Sequence, residues 1–250
     1  MMTIMIPALN EEAALADAVK SVHRVALEVL SVPPEIIVFN DGSTDRTAEL
    51  AEQLAREIPG LRVVHHAKPM GVGFCFREAL QLAKGDRFTG FAGDNNVAPR
   101  LITELLGNAD KADVVVSYIV NTEERGSFRH VVSTLFSMTY VLFFGIHLKY
   151  INGNTVWPTQ LLRECNIRAR GYSIMAETNV KILRRGVTFM EIPGEMNKAA
   201  TKSQAIKWKN LVEVIGTFFR LIWQVHFSQK EIYSRPARRI SYLRDQAQSA

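Results

Sequence analysis

Apolar and polar positions alternate along this chain in a regular succession. Thr3 to Ile6 is a short apolar run stopped by Pro7, and Ala8 to Glu12 reads as a polar loop. From Glu11 to Leu30, the residues Leu15, Ala18, Val19, Val22, Val25 and Val29 recur at helical spacing, with Asn10 placed as an N-cap. Pro33 and Pro34 end that element. Ile36 to Phe39 is apolar throughout and β-branched at three of its four positions, which suits a fully buried strand. A helix over Thr47–Glu57 follows, then the break at Pro59-Gly60 and a strand over Leu61–His65. This β-α-β-α-β order predicts a parallel sheet with right-handed crossovers.

The same pattern continues. A helix is expected over Phe74–Ala83, a strand over Arg87–Phe91, a helix from Pro99 to Leu106 and a strand over Asp113–Val120. Residues 121–130 are polar and charged and mark a soft boundary. Val131 to Leu148 is apolar, but its longest unbroken run, Tyr140 to Ile146, falls far short of the ~18–20 residues that span a bilayer. A buried or surface-lying helix is expected there. After the Asn152-Gly153-Asn154 turn come Thr155–Trp157, a helix over Ala176–Arg185 ended by Gly186, and a strand over Val187–Ile192 closed by Pro193. Ala205 to Phe227 reads as a helix with Lys207, Lys209 and Arg220 among aromatic positions, a composition that suits either an interfacial helix or one packed on the domain. Ser234 to Ala250, basic and then polar, is expected to fray.

Composition narrows the picture. The chain has 250 residues and is 47% hydrophobic, enough for one α/β domain with an appendage. Cys75 and Cys165 offer neither a disulfide framework nor a metal cluster, and the opening MMTIMIPALNEE lacks the basic stretch and cleavage site of a signal peptide. A reducing, cytoplasmic setting is expected, with attachment to the inner face of a membrane. The net charge is +5, with a pI near 9.3. Basic residues outnumber acidic ones from Lys198 onward. That balance suits anionic surfaces or phosphorylated ligands, and no nucleic-acid motif accompanies it.

Candidate chemistry sits in three polar loops, each after a predicted parallel strand: Pro7–Glu12, Asn40–Asp45 and Gly93–Asn96. Strand carboxyl ends are where open α/β sheets bind ligands. The loops gather Glu11, Glu12, Asp41, Asp45 and Asp94. Carboxylates crowded at one edge repel and recruit a cation, and all-oxygen donors suit Mg²⁺ or Mn²⁺. Asn40–Asp45 also reads as a turn with Ser43 or Thr44 capping the next helix. Gly71 and Gly73 allow close backbone approach to a ligand, but the dinucleotide fingerprint is absent because Phe76 stands where its last glycine belongs. His65, His66 and His147 lack the spacing of a metal site and read as surface or core histidines.

IPALNEE, FNDGSTDRT and the GD-containing loop before a proline resemble family 2 glycosyltransferases of the GT-A fold, over roughly residues 3–205. AETNVKILRRGVTFMEIP and ATKSQAIKW are similar to the dolichol- and polyprenyl-phosphate sugar transferase branch. The resemblance implies an α/β fold with a mostly parallel, Rossmann-like central sheet. It implies a GT-A domain over 1–205, with a nucleotide-sugar half (about 1–120) and an acceptor half (about 121–205). Residues 206–250 would then be an amphipathic helix and basic tail. By resemblance, Pro7, Ala8, Asn10, Glu11 and Gly71 line the donor pocket, Asp41 hydrogen-bonds the base and Ser43 lies near it. Asp94, with Asn96, binds the metal and the donor diphosphate. Many members carry Asp-x-Asp here, but Ala92 stands two before Asp94. The branch's arginine in the late loop is replaced by Lys198 or Lys202 for diphosphate or acceptor binding.

The implied activity is an inverting hexosyltransferase for cell-envelope glycan synthesis. It would move a sugar from a UDP- or GDP-linked donor to a polyprenyl-phosphate acceptor. A lipid phosphate needs no strong base; a hydroxyl acceptor does, and the resemblance offers Glu177, which otherwise reads as an exposed helix residue. Two alternatives stand: a soluble glycosyltransferase acting on a saccharide or small-molecule hydroxyl, and a protein that binds nucleotide sugar without turnover.

Overall fold

The structure is a computed structural model that describes residues 1–121, 127–171, 173–197 and 208–242. Lys198, Lys202 and residues 122–126 lie outside the described residues, and residues 127–130 of the expected polar boundary already belong to a helix.

In chain order the elements are β1 (Met2–Ala8), α1 (Leu15–Val29), β2 (Glu35–Asn40), α2 (Thr47–Glu57), β3 (Leu61–His65), α3 (Val72–Leu82), β4 (Arg87–Gly90), α4 (Pro99–Gly107), β5 (Val114–Ile119) and α5 (Ser127–Phe144). Then come β6 (Thr155–Pro158), α6 (Thr159–Glu164), α7 (Ile174–Leu183), β7 (Thr188–Gly194), α8 (Trp208–Trp223), a π-helical turn (Gln224–Ser228) and β8 (Arg238–Ile240). The strands form one sheet in the order β3-β2-β1-β4-β6-β5-β7-β8. Pairing is parallel except on the two sides of β6, which runs against β4 and β5.

Alternation along the strands explains the layers. In β2, Ile37 and Phe39 pack on one face and Ile36 and Val38 on the other. A strand buried on both faces reads as an unbroken apolar run. One face carries α1, α2 and α4; the other carries α3, α5, α6, α7 and α8. The chain runs outward from β1 through β2 to β3, then returns to place β4 on the opposite side of β1. That reversal creates a crevice between β1 and β4 at the strands' carboxyl ends.

Helix α7 is buried from Ala176 to Leu183 on every side, charged and polar residues included. Its polar groups are paired internally. Asn179 accepts from Trp157 Nε1 at 2.9 Å and donates to the Ile151 carbonyl at 2.8 Å. Glu177 is therefore a core residue, against the exposed helix position its sequence suggests.

Two other expectations change. Asn10 does not cap α1, which begins after Ala14; its φ of 57° places it in a left-handed turn, a conformation asparagine tolerates. The segment after Ser234 does not simply fray: Arg238–Ile240 adds a parallel edge strand to β7. Glu191 anchors it, accepting from Arg239 and, at 2.6 Å, from the backbone N–H of Lys149.

Candidate active site

The loops after β1, β2 and β4 meet at one edge. Asn10 donates its backbone N–H to Ser43 Oγ at 3.0 Å, and its carboxamide oxygen accepts from the Thr44 N–H at 2.9 Å. The Glu11 N–H reaches Thr47 Oγ1 at 2.8 Å. Neither Ser43 nor Thr44 caps α2; Asp45 accepts from the Thr47 N–H at 3.0 Å instead. The third loop joins through the Gly93 N–H, which donates to the Pro7 carbonyl at 3.1 Å. Hydrogen bonds thus fix Pro7, Ala8, Asn10, Glu11 and Ser43 in one rim.

Electrostatics mark the centre of that rim. Burial raises the carboxyl of Asp94, and hydrogen bonds from Asn96 offset this only in part. Asn96 donates its backbone and side-chain N–H groups to the two oxygens of Asp94, at 3.2 and 2.9 Å. Burial also raises Glu11, followed by the charges of Asp94 and Asp45. Uncompensated negative charge is concentrated here. Hard oxygen donors around such a spot fit a small divalent cation, with Asp94 and Asn96 the residues able to hold it and Glu11 near enough to feel the charge of Asp94.

Asp41 behaves in the opposite way. Burial would raise it, but hydrogen bonds from His66, Met70 and Gly71 outweigh burial and hold it below the ordinary carboxylate range. Its Oδ1 lies 2.6 Å from His66 Nδ1 and 2.8 Å from the Met70 nitrogen, and its Oδ2 lies 2.8 Å from the Gly71 nitrogen. Gly42 permits this closure: its φ is +73°, and a Cβ there would stand 2.4 Å from the Lys68 carbonyl carbon. In the sequence His66 belongs to no motif. Its only sequence signal is a histidine two residues before a Lys-Pro turn.

The glycines of the 71–73 loop hold protein as well as leaving room for a ligand. A Cβ on Gly73 would sit 2.4 Å from the Ala169 carbonyl oxygen, and the Gly73 N–H donates to the Arg170 carbonyl at 3.0 Å. The strap formed by residues 168–171 crosses this loop, and two carboxylates hold it from behind. Glu177 Oε2 accepts from the Arg168 and Ala169 N–H groups at 3.0 and 2.6 Å, and its Oε1 from Lys181 Nζ at 2.7 Å. Glu213 on α8 accepts from the Arg170 N–H at 3.2 Å and from Ser173 Oγ at 2.5 Å. The structure thus places Glu177 behind the strap, with its oxygens engaged.

Helices α5 and α8 pack through Tyr140, Phe143 and Phe144 against Phe218. Their outer faces expose Leu135, Met138, Leu142 and Phe143, and Val212, Ile215, Phe219 and Trp223, with Phe227 following. No helix among the described residues is long and apolar enough to cross a membrane.

The family profile described as glycosyl transferase family 2 matches residues 3–166. The polyprenol monophosphomannose synthase of Mycolicibacterium smegmatis is 26% identical over 204 residues, 76% of this chain and 75% of that protein. An uncharacterized glycosyltransferase, EpsJ of Bacillus subtilis, is 30% identical over 112 residues, 44% of this chain; the match spans only 31% of EpsJ. Among solved structures, glucosyl-3-phosphoglycerate synthase of Mycobacterium tuberculosis, in complex with Mn²⁺, UDP and phosphoglyceric acid, superposes with a TM-score of 0.64 at 20% identity. The superposition covers 89% of this chain and 78% of that one.

Proposed function

For a chain that belongs to glycosyl transferase family 2, we propose an inverting transfer of a sugar from a nucleoside diphosphate sugar to a polyprenyl-phosphate-type lipid at a membrane surface. The observation that carries the acceptor half is the apolar face of α5 and α8. Contiguous exposed apolar surface of that extent marks an interaction site. On its inner side, opposite that face, α8 carries Glu213, which holds the strap over the donor loop. The similarity to a polyprenol monophosphomannose synthase points the same way.

In this reading Asp41 accepts a hydrogen bond from the base, and the rim of Pro7, Ala8, Asn10, Glu11, Ser43 and Gly71 holds the nucleoside. Asp94 and Asn96, with Glu11 beside them, hold Mg²⁺ or Mn²⁺. When bound, the ion offsets the charge that develops on the departing diphosphate. Lys198 and Lys202, outside the described residues, add positive charge to the same task. An oxygen of the lipid phosphate attacks the anomeric carbon as the bond to the diphosphate oxygen breaks, and the nucleoside diphosphate leaves with the electron pair. The acceptor is already ionised at neutral pH, so no proton has to be removed. Catalysis is then positioning and charge stabilisation. The placement of Glu177 suits this scheme, because a base would first have to release the strap.

The test is nucleotide release from UDP- and GDP-sugars with Mn²⁺ or Mg²⁺, with and without undecaprenyl phosphate. Release that needs the lipid and is lost in Asp94→Ala supports the reading. Release with a saccharide or small hydroxyl acceptor, lost in Glu177→Gln, replaces it with hydroxyl transfer. Binding of donor without release under any condition makes the chain a nucleotide-sugar binder.

A further inference from the structure

His66 stands between two carboxylates. Its Nδ1 lies 2.6 Å from Asp41 Oδ1, and its Nε2 lies 2.8 Å from Glu78 Oε2. The side chain is only 9% exposed. The Phe39 and Phe74 rings pack on it with centroids 5.9 and 5.3 Å away, so the imidazole cannot turn aside without disturbing both. The groups that face it are Asp41 from the turn after β2, and Glu78 and Cys75 from α3. We propose that His66 is a positioning residue for the donor's base, tying Asp41 to Glu78 so that Asp41 keeps a single orientation and stays ionised. The proposal rests on the reading of Asp41 as the residue that bonds the base.

The geometry sets the protonation state. A neutral imidazole carries one N–H and can donate to one carboxylate only; the other would then face a ring lone pair at hydrogen-bond distance, which is repulsive. Imidazolium donates to both. Burial would lower the His66 pKa, but the hydrogen bonds and charges of Asp41 and Glu78 raise it above the ordinary histidine value. Asp41 gains in return, since the cation helps hold it below the carboxylate range.

Asp41, His66 and Cys75 also lie close enough together for a metal ion, their ligand atoms falling within 4.8 Å of one another. The hydrogen bonds account for the cluster without one. The Cys75 thiol, pushed up to about 12 first by burial and then by the Asp41 charge, stays protonated.

The consequence is a link between pH and donor affinity. A group with a raised folded pKa gives its full contribution below the unfolded value and loses it as pH rises through the folded value. Below that point the bridge is complete. Above it one arm fails, Asp41 loses its cationic partner, and the grip on the base loosens. The predicted effect is an alkaline limb in nucleotide affinity. The Asp94 and Glu11 carboxyls do not produce it, because their ionisation as pH rises would strengthen cation binding and not weaken it.

The experiment is a titration of the purified chain with UDP and GDP in Mg²⁺ between about pH 6 and pH 9, comparing wild type, His66→Gln, Glu78→Gln and Asp41→Asn. The His66 ring is followed by NMR in the same samples. Titrations of the nucleotide itself are common to all four. Wild type is expected to lose affinity about 5- to 10-fold across the range, in step with the His66 ring. His66→Gln should bind weakly at every pH, with no limb. Glu78→Gln should keep the limb but move it to lower pH, together with the ring titration. A solely structural role would lower affinity in both variants without moving the limb.

Identical pH profiles in wild type and Glu78→Gln overturn the proposal, as does a His66 ring that titrates below the ordinary histidine value. A stoichiometric zinc ion that His66→Gln loses overturns it too, because His66 would then be a ligand. Asp41→Asn with unchanged affinity instead overturns the base-site reading, and the positioning role falls with it.

Discussion

Glu177 and Lys181, one turn apart on α7, form a 2.7 Å ion pair in which neither side chain has any solvent exposure. Burying two charges is expensive, and such a pair persists when further hydrogen bonds satisfy both groups. Here they do: Lys181 also donates to the Asn166 carbonyl at 2.6 Å, and Glu177 also accepts from two strap N–H groups. The pair ties both ends of residues 166–169 to α7. Lys181→Met leaves the buried carboxylate with only the more distant Arg220, 3.7 Å away, as a cation, and should cost up to about 3 kcal/mol. Glu177→Gln turns one acceptor oxygen into an NH2 that must face either Lys181 Nζ or the strap N–H groups, and leaves Lys181 buried without its carboxylate, so its cost should be of the same order. Urea denaturation of the two variants checks both costs. Glu177→Gln with wild-type stability and no transfer would instead support a proton-accepting role.

Asp94 illustrates the opposite economy. Burial raises its carboxyl, and its charge helps to raise Glu11. A carboxyl raised in the fold stabilises at pH below its unfolded value and loses that contribution as pH rises through the folded value. At neutral pH the ionised pair therefore weakens the fold. Asp94→Asn should raise Tm at pH 7 by about 2–4 °C, corresponding to relief on the order of 1 kcal/mol. Mn²⁺ should raise the Tm of wild type by mass action and leave that of Asp94→Asn in place. Thermal denaturation with and without the ion reads both effects. A variant less stable than wild type, or one still stabilised by Mn²⁺, counts against this account.

Arg239 reaches Glu191 from the edge strand, and the Glu191 side chain is only 1% exposed. Arg239→Ala leaves that carboxylate with the Lys149 N–H as its hydrogen-bond donor. The expected cost is about 1–3 kcal/mol, with faster amide exchange in Arg238–Ile240. Unchanged exchange there would mean that β8 holds without the pair.

The order of elements was legible because the strands are apolar on both faces and the helices on one. Ile36–Phe39 and the Leu15–Val29 stripe announce themselves by period alone. The three loops converge as their positions in the sequence imply, since β1, β2 and β4 are neighbours. Partnership at a distance was not legible. Arg238-Arg239-Ile240 looks like a polar tail until β7 offers it a ladder and Glu191 a counter-charge. Glu177 and Lys181 look like an exposed i,i+4 pair, because burial of α7 on all sides comes from the sheet and the helices around it. Thr159–Glu164 is too short for its period to register. His66 gains meaning only when Asp41 and Glu78 close on its two nitrogens.

The outer face of α5 and α8 gives the last prediction. Leu142, Phe219 and Trp223 are 79%, 64% and 61% exposed, so their side chains contribute little to the core. Lys230 and Arg235 stand exposed on the same C-terminal stretch, whereas Arg220 turns inward to Thr217 and Glu177. Apolar insertion and attraction to anionic headgroups add together in interfacial binding. The chain should bind anionic vesicles at low salt, and added salt should weaken but not abolish binding, because the apolar component is not screened. Leu142→Glu, Phe219→Glu and Trp223→Glu combined should abolish vesicle binding while shifting stability by no more than about 0.5 kcal/mol per site. Vesicle flotation and thermal denaturation read the two effects separately. Wild-type flotation by the triple variant, or indifference of the native chain to anionic vesicles at low salt, would remove the membrane from the proposed function and move the acceptor into solution.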